Sequence, residues 1–405
     1  MVDMRRSRRD FLGLTTTAWG AMALRPEVVL GAERRPVPAD RFDPWVEVHP
    51  ELLEHNVGVV SRLSGGRPIL AVIKNNAYGL GLLDAARLLS RHDAVVGFAV
   101  VKPEDAIALR DGGIEREILL MGMTPDEAAS ELVARGVRLS LYLDDDATRI
   151  PALTGRDRAI PAHVYLDTGM SRMGMPFHRA APWLERLRDT GAFRVEGAFM
   201  GFTEEPDFDR VQLSRFRGVA DEAAAAGMSL GRLHAASSNG VYHLSDAHLD
   251  MVRPGIALFG GYPSRPEEER SIAELRSAVS LKCRVVRIER LRAGDSVSYG
   301  REYVADEPTW VATLPAGHAD GYPRGAVNGA RVHIGRATYP VIGSVSASHV
   351  IVEIGSEAEV KVGDVATLVG PGVADVHPNE VARASEASVY DVFMHLGAAL
   401  PRYVV

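Results

Sequence analysis

One lysine, Lys74, closes the apolar run at 69–73 and opens a turn punctuated by glycine, Lys74-Asn75-Asn76-Ala77-Tyr78-Gly79-Leu80-Gly81. A lysine at the carboxyl end of a strand is held by a rigid element yet faces a cleft. Once desolvated it gives up its proton more readily and can form a Schiff base with an aldehyde. Two later segments carry a different chemistry: Ser237-Ser238-Asn239-Gly240, just after His234, and Arg253-Pro254-Gly255-Ile256. Glycine lets the backbone approach an anion closely and serine adds a hydroxyl donor, so together they suit a phosphate. A Schiff-base lysine and a phosphate cradle in one site make pyridoxal phosphate the simplest cofactor to expect.

The elements that would position these groups are short apolar runs separated by amphipathic helical stretches. Strand candidates lie at 69–73, 95–101, 117–121, 137–143, 162–166, 194–199, 232–235 and 250–252. Helical patterns such as 126–135 and 207–226 fall between them. Eight strands alternating with helices predict parallel crossovers that close into a (β/α)8 TIM barrel. Lys74, the segment Asp167-Thr168-Gly169-Met170-Ser171-Arg172, His234 and Arg253 then follow the first, fifth, seventh and eighth strands, at the face where such barrels carry their sites. After about residue 277 the texture changes to Val, Ile and Leu runs broken by glycine turns, at 281–288, 310–314, 330–334, 350–354 and 365–369. The expected fold class is therefore α/β, a barrel at 41–275 followed by a C-terminal, mostly-β domain at 276–405.

Bulk properties narrow the function. The chain has 405 residues and a net charge of -7, which leaves no basic excess for nucleic acid. The single cysteine, Cys283, excludes an intrachain disulfide and a thiolate cluster for a metal, and reads as a small buried apolar residue. No metal site is expected. Residues 1–32 form a separate segment: Ser7-Arg8-Arg9-Asp10-Phe11-Leu12 and a weakly apolar run at 13–24 have the arrangement of a twin-arginine export signal. The run is too short for an ordinary transmembrane helix. Export machinery of the twin-arginine type is thus an expected partner and the periplasm, or beyond, the expected destination. Cleavage near Ala21-Met22-Ala23 or near Gly31-Ala32 stays open.

From Trp45 to Tyr403 the chain resembles the alanine racemases, the fold-type III pyridoxal-phosphate enzymes. Lys74 to Gly79 looks like the family's cofactor-lysine motif and Asp167 to Gly174 like its substrate-arginine motif. Asp250 to Gly260 looks like the pyridine-side motif, Ser298-Tyr299-Gly300-Arg301 like the catalytic-tyrosine motif, and Ala319 to Arg324 like the signature that follows. The resemblance implies that Lys74 holds the cofactor and acts on one face of the substrate Cα. Tyr299 would act on the other face, contributed by the second subunit of a homodimer. Arg253 would contact the pyridine nitrogen. Tyr78, Ser238, Gly255, Ile256 and Tyr390 would surround the phosphate. His234 would lie beside the cofactor, and Arg172 and Ala347 beside the substrate. Phenolate chemistry at Tyr299 needs cationic or hydrogen-bonding neighbours, for which His234 and Arg253 are candidates.

Several positions depart from the family's pattern. Gly201 stands where a histidine is usual, Tyr165 where a lysine is usual, Ala347-Ser348 where a Met-Asp pair is usual, and His318 at the entrance where a tyrosine is usual. The expected activity is interconversion of L- and D-alanine by two bases. The altered walls keep three alternatives in view: a broad-specificity periplasmic amino-acid racemase, another fold-type III activity such as decarboxylation or aldol cleavage, and a cofactor-binding relative without turnover.

Overall fold

The computed structural model describes residues 36–154 and 159–405. The twin-arginine arrangement lies outside them. Seven parallel strands form a curled sheet in chain order: Ile69–Val72, Val95–Val100, Glu117–Leu120, Arg138–Leu141, Ile160–Asp167, Phe193–Phe199 and Arg232–His234. These are near-continuous apolar runs, as expected for strands buried on both faces. Ile69–Val72, for example, is buried throughout. Helices cross between them. The longest, Pro206–Ala225, starts on a proline, and the Glu205 carboxylate accepts from the backbone N–H groups of Asp207 and Phe208.

The expected eighth strand at 250–252 is reduced to a single parallel bridge between Val252 and Ile69. It nevertheless closes the barrel. Leu70 N–H donates to the Val252 carbonyl at 2.9 Å and Val252 N–H to the Pro68 carbonyl at 3.0 Å, while on the other side Arg253 N–H reaches the Ala236 carbonyl at 2.8 Å. Pro254 ends the strand because it has no N–H to continue the ladder.

The second layer is a nine-stranded, mostly antiparallel sheet built chiefly from residues after 278. The expected run at 281–288 is two strands, Val279–Arg284 and Arg287–Leu291, because Val285 and Val286 switch partners between them. Trp45–Val48, within the stretch assigned to the barrel, instead lies between Val279–Arg284 and the C-terminal strand Arg402–Val404 in this sheet. Trp45 is fully buried there. The Lys282 ammonium meets the Glu47 carboxylate at 2.6 Å across the pair. Two short helices, Pro378–Ala384 and Val389–Met394, interrupt the β domain. Cys283 is buried, and burial pushes its thiol up, in keeping with an inert apolar role.

Gly260 sits where the chain leaves the barrel, at φ +93°, and a Cβ there would collide with the Arg276 carbonyl. Gly260→Ala is therefore expected to destabilise the fold by about 2 kcal/mol or more, read as a lower urea midpoint. An unchanged midpoint would show that this junction is looser than described.

Candidate active site

Lys74 leaves the first barrel strand and enters an unusual turn. Asn75, Asn76, Ala77 and Tyr78 have φ of 54°, 56°, 52° and 53°, one turn of left-handed backbone. Asparagine tolerates this region, whereas alanine and tyrosine gain nothing from it, so the turn must be held from outside. Ala77 N–H donates to the Ile73 carbonyl at 3.1 Å, and Leu82 N–H to the Asn76 side-chain oxygen at 3.0 Å. Arg402 supplies a clamp from the far end of the chain. Its Nε and Nη2 both donate to the Gly79 carbonyl, at 3.0 and 2.7 Å. Burial, with the Arg172 charge added, lowers the Lys74 ammonium below its ordinary pKa.

The turn also aims Tyr78 across the barrel mouth. Its hydroxyl fills the space that a side chain at Gly255 would occupy, and its ring packs on Phe259 at 5.1 Å and Tyr390 at 6.3 Å. Ser238 Oγ accepts from the N–H groups of Gly255 at 3.0 Å and Ala257 at 3.2 Å. A hydroxyl that accepts twice keeps its own proton to donate. Tyr78 and Tyr390 are both pushed up by burial and stay protonated donors. Tyr78, Ser238, Gly255, Ile256 and Tyr390 thus come together, and hydroxyl donors beside a backbone stripped of Cβ at Gly255 fit a phosphate group.

Arg253 is buried beside this cradle. It donates to the carbonyls of His234 and, at 2.6 Å, Met200, and to His234 Nδ1 at 3.0 Å. Burial lowers its guanidinium to about 10, which still leaves it protonated at neutral pH. The His234 ring stacks on Phe199, which stacks on Tyr165 at 4.3 Å. Tyr165 therefore sits in an aromatic pile, in the place of the lysine that the resemblance leads one to expect. At Gly201 a Cβ would lie 3.3 Å from Met170 Sδ, 3.8 Å from Arg172 Nη2 and 3.9 Å from the Tyr165 hydroxyl, so these three side chains border the space beside it. The Asp167 carboxylate fixes the loop that carries Arg172 by accepting from the N–H groups of Gly169, Met170 and Ser171 at 2.9–3.1 Å.

Tyr299, His318 and Ala347 belong to a separate loop cluster of the β domain. Ser344 Oγ donates to the Tyr299 carbonyl at 3.0 Å, and the N–H groups of His318 and Ala319 donate to the Ser346 and Ala347 carbonyls at 3.0 Å. The Tyr299 side chain is 75% exposed. Among the described residues, no hydrogen bond, ion pair or ring contact joins this cluster to Lys74, Arg172, His234 or Arg253. A single chain thus gathers the lysine, the phosphate cradle and Arg253, and leaves Tyr299 and Ala347 apart from them. Arg402 and the left-handed sense of the turn were not anticipated; glycine signalled a turn, and the Asn75-Asn76 pair was the sign of its hand.

The chain has only four lysines, Lys74, Lys102, Lys282 and Lys361, which makes the lowered pKa directly measurable. In cofactor-free protein near pH 8, Lys74 is expected to be acylated before the other three, as mapped by peptide mass. Equal labelling would contradict its lowered pKa.

Comparisons with known proteins agree with this fold. Residues 48–263 match the family model described as alanine racemase, N-terminal domain, and residues 278–404 match that described as alanine racemase, C-terminal domain. The chain is similar to an alanine racemase of Carboxydothermus hydrogenoformans, 33% identical over 89% of this chain and 99% of that protein. One from Syntrophobacter fumaroxidans is 34% identical over 87% of this chain and 95% of that protein. Among solved structures, the alanine racemase of D-cycloserine-producing Streptomyces lavendulae superposes with a TM-score of 0.84 at 26% identity, covering 91% of this chain and 98% of that one. Matches across both domains, on a barrel that carries Lys74 at the end of its first strand, lead to one conclusion: the chain belongs to the alanine racemase family and is a pyridoxal-phosphate-dependent amino-acid racemase.

Proposed function

We propose that this racemase is exported, works as a homodimer, and inverts the Cα of alanine with two bases, Lys74 and Tyr299 of the partner subunit. The observation that carries the reading is the separation of the two groups. Lys74 is half-buried with a lowered pKa, whereas Tyr299 projects from its own chain with its side chain exposed. A second copy would bring that phenol to a lysine it does not meet within one chain.

When bound, pyridoxal phosphate supplies an electron sink that makes the substrate Cα proton acidic. This chain's residues do the rest. Ser238, Tyr78 and Tyr390 would hold the phosphate, with Gly255 and Ile256 lending close backbone. Arg253 would face the ring nitrogen as a permanent donor and so keep it unprotonated. The Lys74 Nζ takes the proton from one face or returns it there, and the Tyr299 hydroxyl does the converse on the other, so inversion needs both. Arg172 would bind the substrate carboxylate or order the groups around it.

A second reading concerns the side chain. The small Gly201 and the exposed Ala347 favour a wider pocket, so activity on residues larger than alanine is included in the proposal. Incubating holoprotein with L-alanine and a panel of L-amino acids in deuterated water is expected to give Cα deuterium and D-enantiomer from alanine and from some larger substrates. Absence of both from every substrate would sink the racemase reading.

Tyr299→Phe is expected to lower kcat by about 100-fold or more, the usual contribution of a positioned acid or base, with the cofactor still bound. Parent-like racemisation by this variant would rule out the two-base assignment. Replacing Arg8 and Arg9 by lysine is expected to trap the protein in the cytoplasm, as seen by cell fractionation; undiminished export would remove the twin-arginine reading.

A further inference from the structure

Beneath Arg253, the barrel interior holds a row of three polar side chains. Arg253, His234 and His163 are 7%, 0% and 1% exposed. Arg253 Nη1 lies 3.0 Å from His234 Nδ1, and His234 Nε2 lies 2.8 Å from His163 Nδ1. His163 belongs to the fifth barrel strand, and Gly197 on the sixth makes room for it, since a Cβ there would approach its ring to 2.7 Å.

The direction of every proton in this row follows from one fact. A guanidinium only donates, so His234 Nδ1 must accept from Arg253. A neutral His234 then carries its proton on Nε2 and donates it to His163 Nδ1. That nitrogen must accept in turn, so the His163 proton sits on Nε2, where it has no partner. Both imidazoles are neutral. Burial is the first cause, and the cations Arg232, Arg138 and Arg253 add to it, holding His163 at about 3. Arg138 and Arg232 belong to a belt across the neighbouring strands, in which Glu117 pairs with Arg138 and Arg232, and Glu196 with Arg138 and Arg194.

The row also decides which donor Arg253 has left. Nη1 is committed to the His234 ring and carbonyl, and Nη2 to the carbonyls of Met200 and Ala235. Of its five N–H groups, the one on Nε is given no acceptor by these contacts. We propose that His163 is a positioning residue of the racemase. By accepting from His234 it fixes the tautomer that keeps His234 an acceptor for Arg253, and so keeps the Arg253 Nε–H free for the cofactor's ring nitrogen. The inference rests on the assignment of Arg253 to that nitrogen.

With no acceptor at 163, His234 can turn its Nδ1–H toward Arg253 and push the guanidinium out of place. A ring nitrogen without its fixed donor becomes open to protonation, which strengthens the electron sink and favours a side reaction. In that reaction, amino acid plus the aldehyde form of the cofactor gives 2-keto acid plus the amine form. The amino acid is oxidised as the cofactor aldehyde is reduced, and no other oxidant is needed.

The test compares His163→Leu, which has no acceptor, with His163→Gln, whose side-chain oxygen can take the His234 proton. In the holoprotein, His163→Leu is expected to raise keto-acid formation per racemisation turnover about tenfold and to shift the cofactor absorption. His163→Gln is expected to restore most of the parent ratio. Nitrogen-15 NMR of histidine-labelled parent protein is expected to show His234 protonated on Nε2 and His163 on Nε2, unchanged from pH 5.5 to 8. A folded His163→Leu with a parent-like ratio and spectrum would overturn the proposal, as would a parent His234 protonated on Nδ1. Arg253→Lys separates the two levels. If it too leaves the ratio and spectrum unchanged, the Arg253 assignment fails; if it changes them while His163→Leu does not, only the role of His163 is lost.

Discussion

Four successive left-handed residues after Lys74 are the constraint around which the rest of the molecule is arranged. For ordinary L-residues the left-handed region costs about 1–2 kcal/mol each, and a typical hydrogen bond contributes about 1 kcal/mol net. No single contact can hold such a turn. Several converge on it: the twin donation of Arg402 to the Gly79 carbonyl, the packing of Tyr78 on Phe259 and Tyr390, and the approach of Asn75 to Met394. Phe393 presents its carbonyl where Gly79 lacks a side chain, so the helix Val389–Met394 can come close. The β domain therefore does more than flank the barrel. Its last helix and last strand stabilise the backbone that presents Lys74.

Legibility in the sequence followed the range of the interactions. Barrel strands buried on both faces announce themselves as apolar runs, and the helices between them by local capping. The eighth run was too short to form a ladder, yet its two neighbours still bond it. Trp45–Val48 escaped notice because the residues that make it a strand, around Leu281 and Tyr403, lie more than 200 positions away. Lys74 and Arg253 stood out as candidates because each follows a barrel strand, and Ser238 because it opens the helix after the seventh. His163 was not, since a histidine within an apolar strand gives no sign of what it will meet across the barrel. Arg402 was hidden for the same reason: nothing local to Pro401-Arg402-Tyr403 names Gly79 as its target.

The site is also divided in its electrostatics. Around Arg253 the barrel holds neutral rings and carbonyls, a dry environment in which one guanidinium fixes the dipoles of its neighbours. Around Gly201, Arg172, Met170 and the Tyr165 hydroxyl share the space beside a glycine. Of the sequence departures, Gly201 lies in the second of these regions, Tyr165 joins the two, and His318 and Ala347 lie in the separate loops of the β domain.

The clasp from Arg402 to Gly79 spans 323 positions of the chain. During translation the lysine turn emerges long before the residue that secures it, and the barrel strands can pair while that turn is still unclasped. The bonds that clasp the turn therefore form only once the final strand has paired beside Trp45–Val48. A nascent chain stalled short of residue 402 would carry every group named in the barrel and still lack the clasp on the lysine turn.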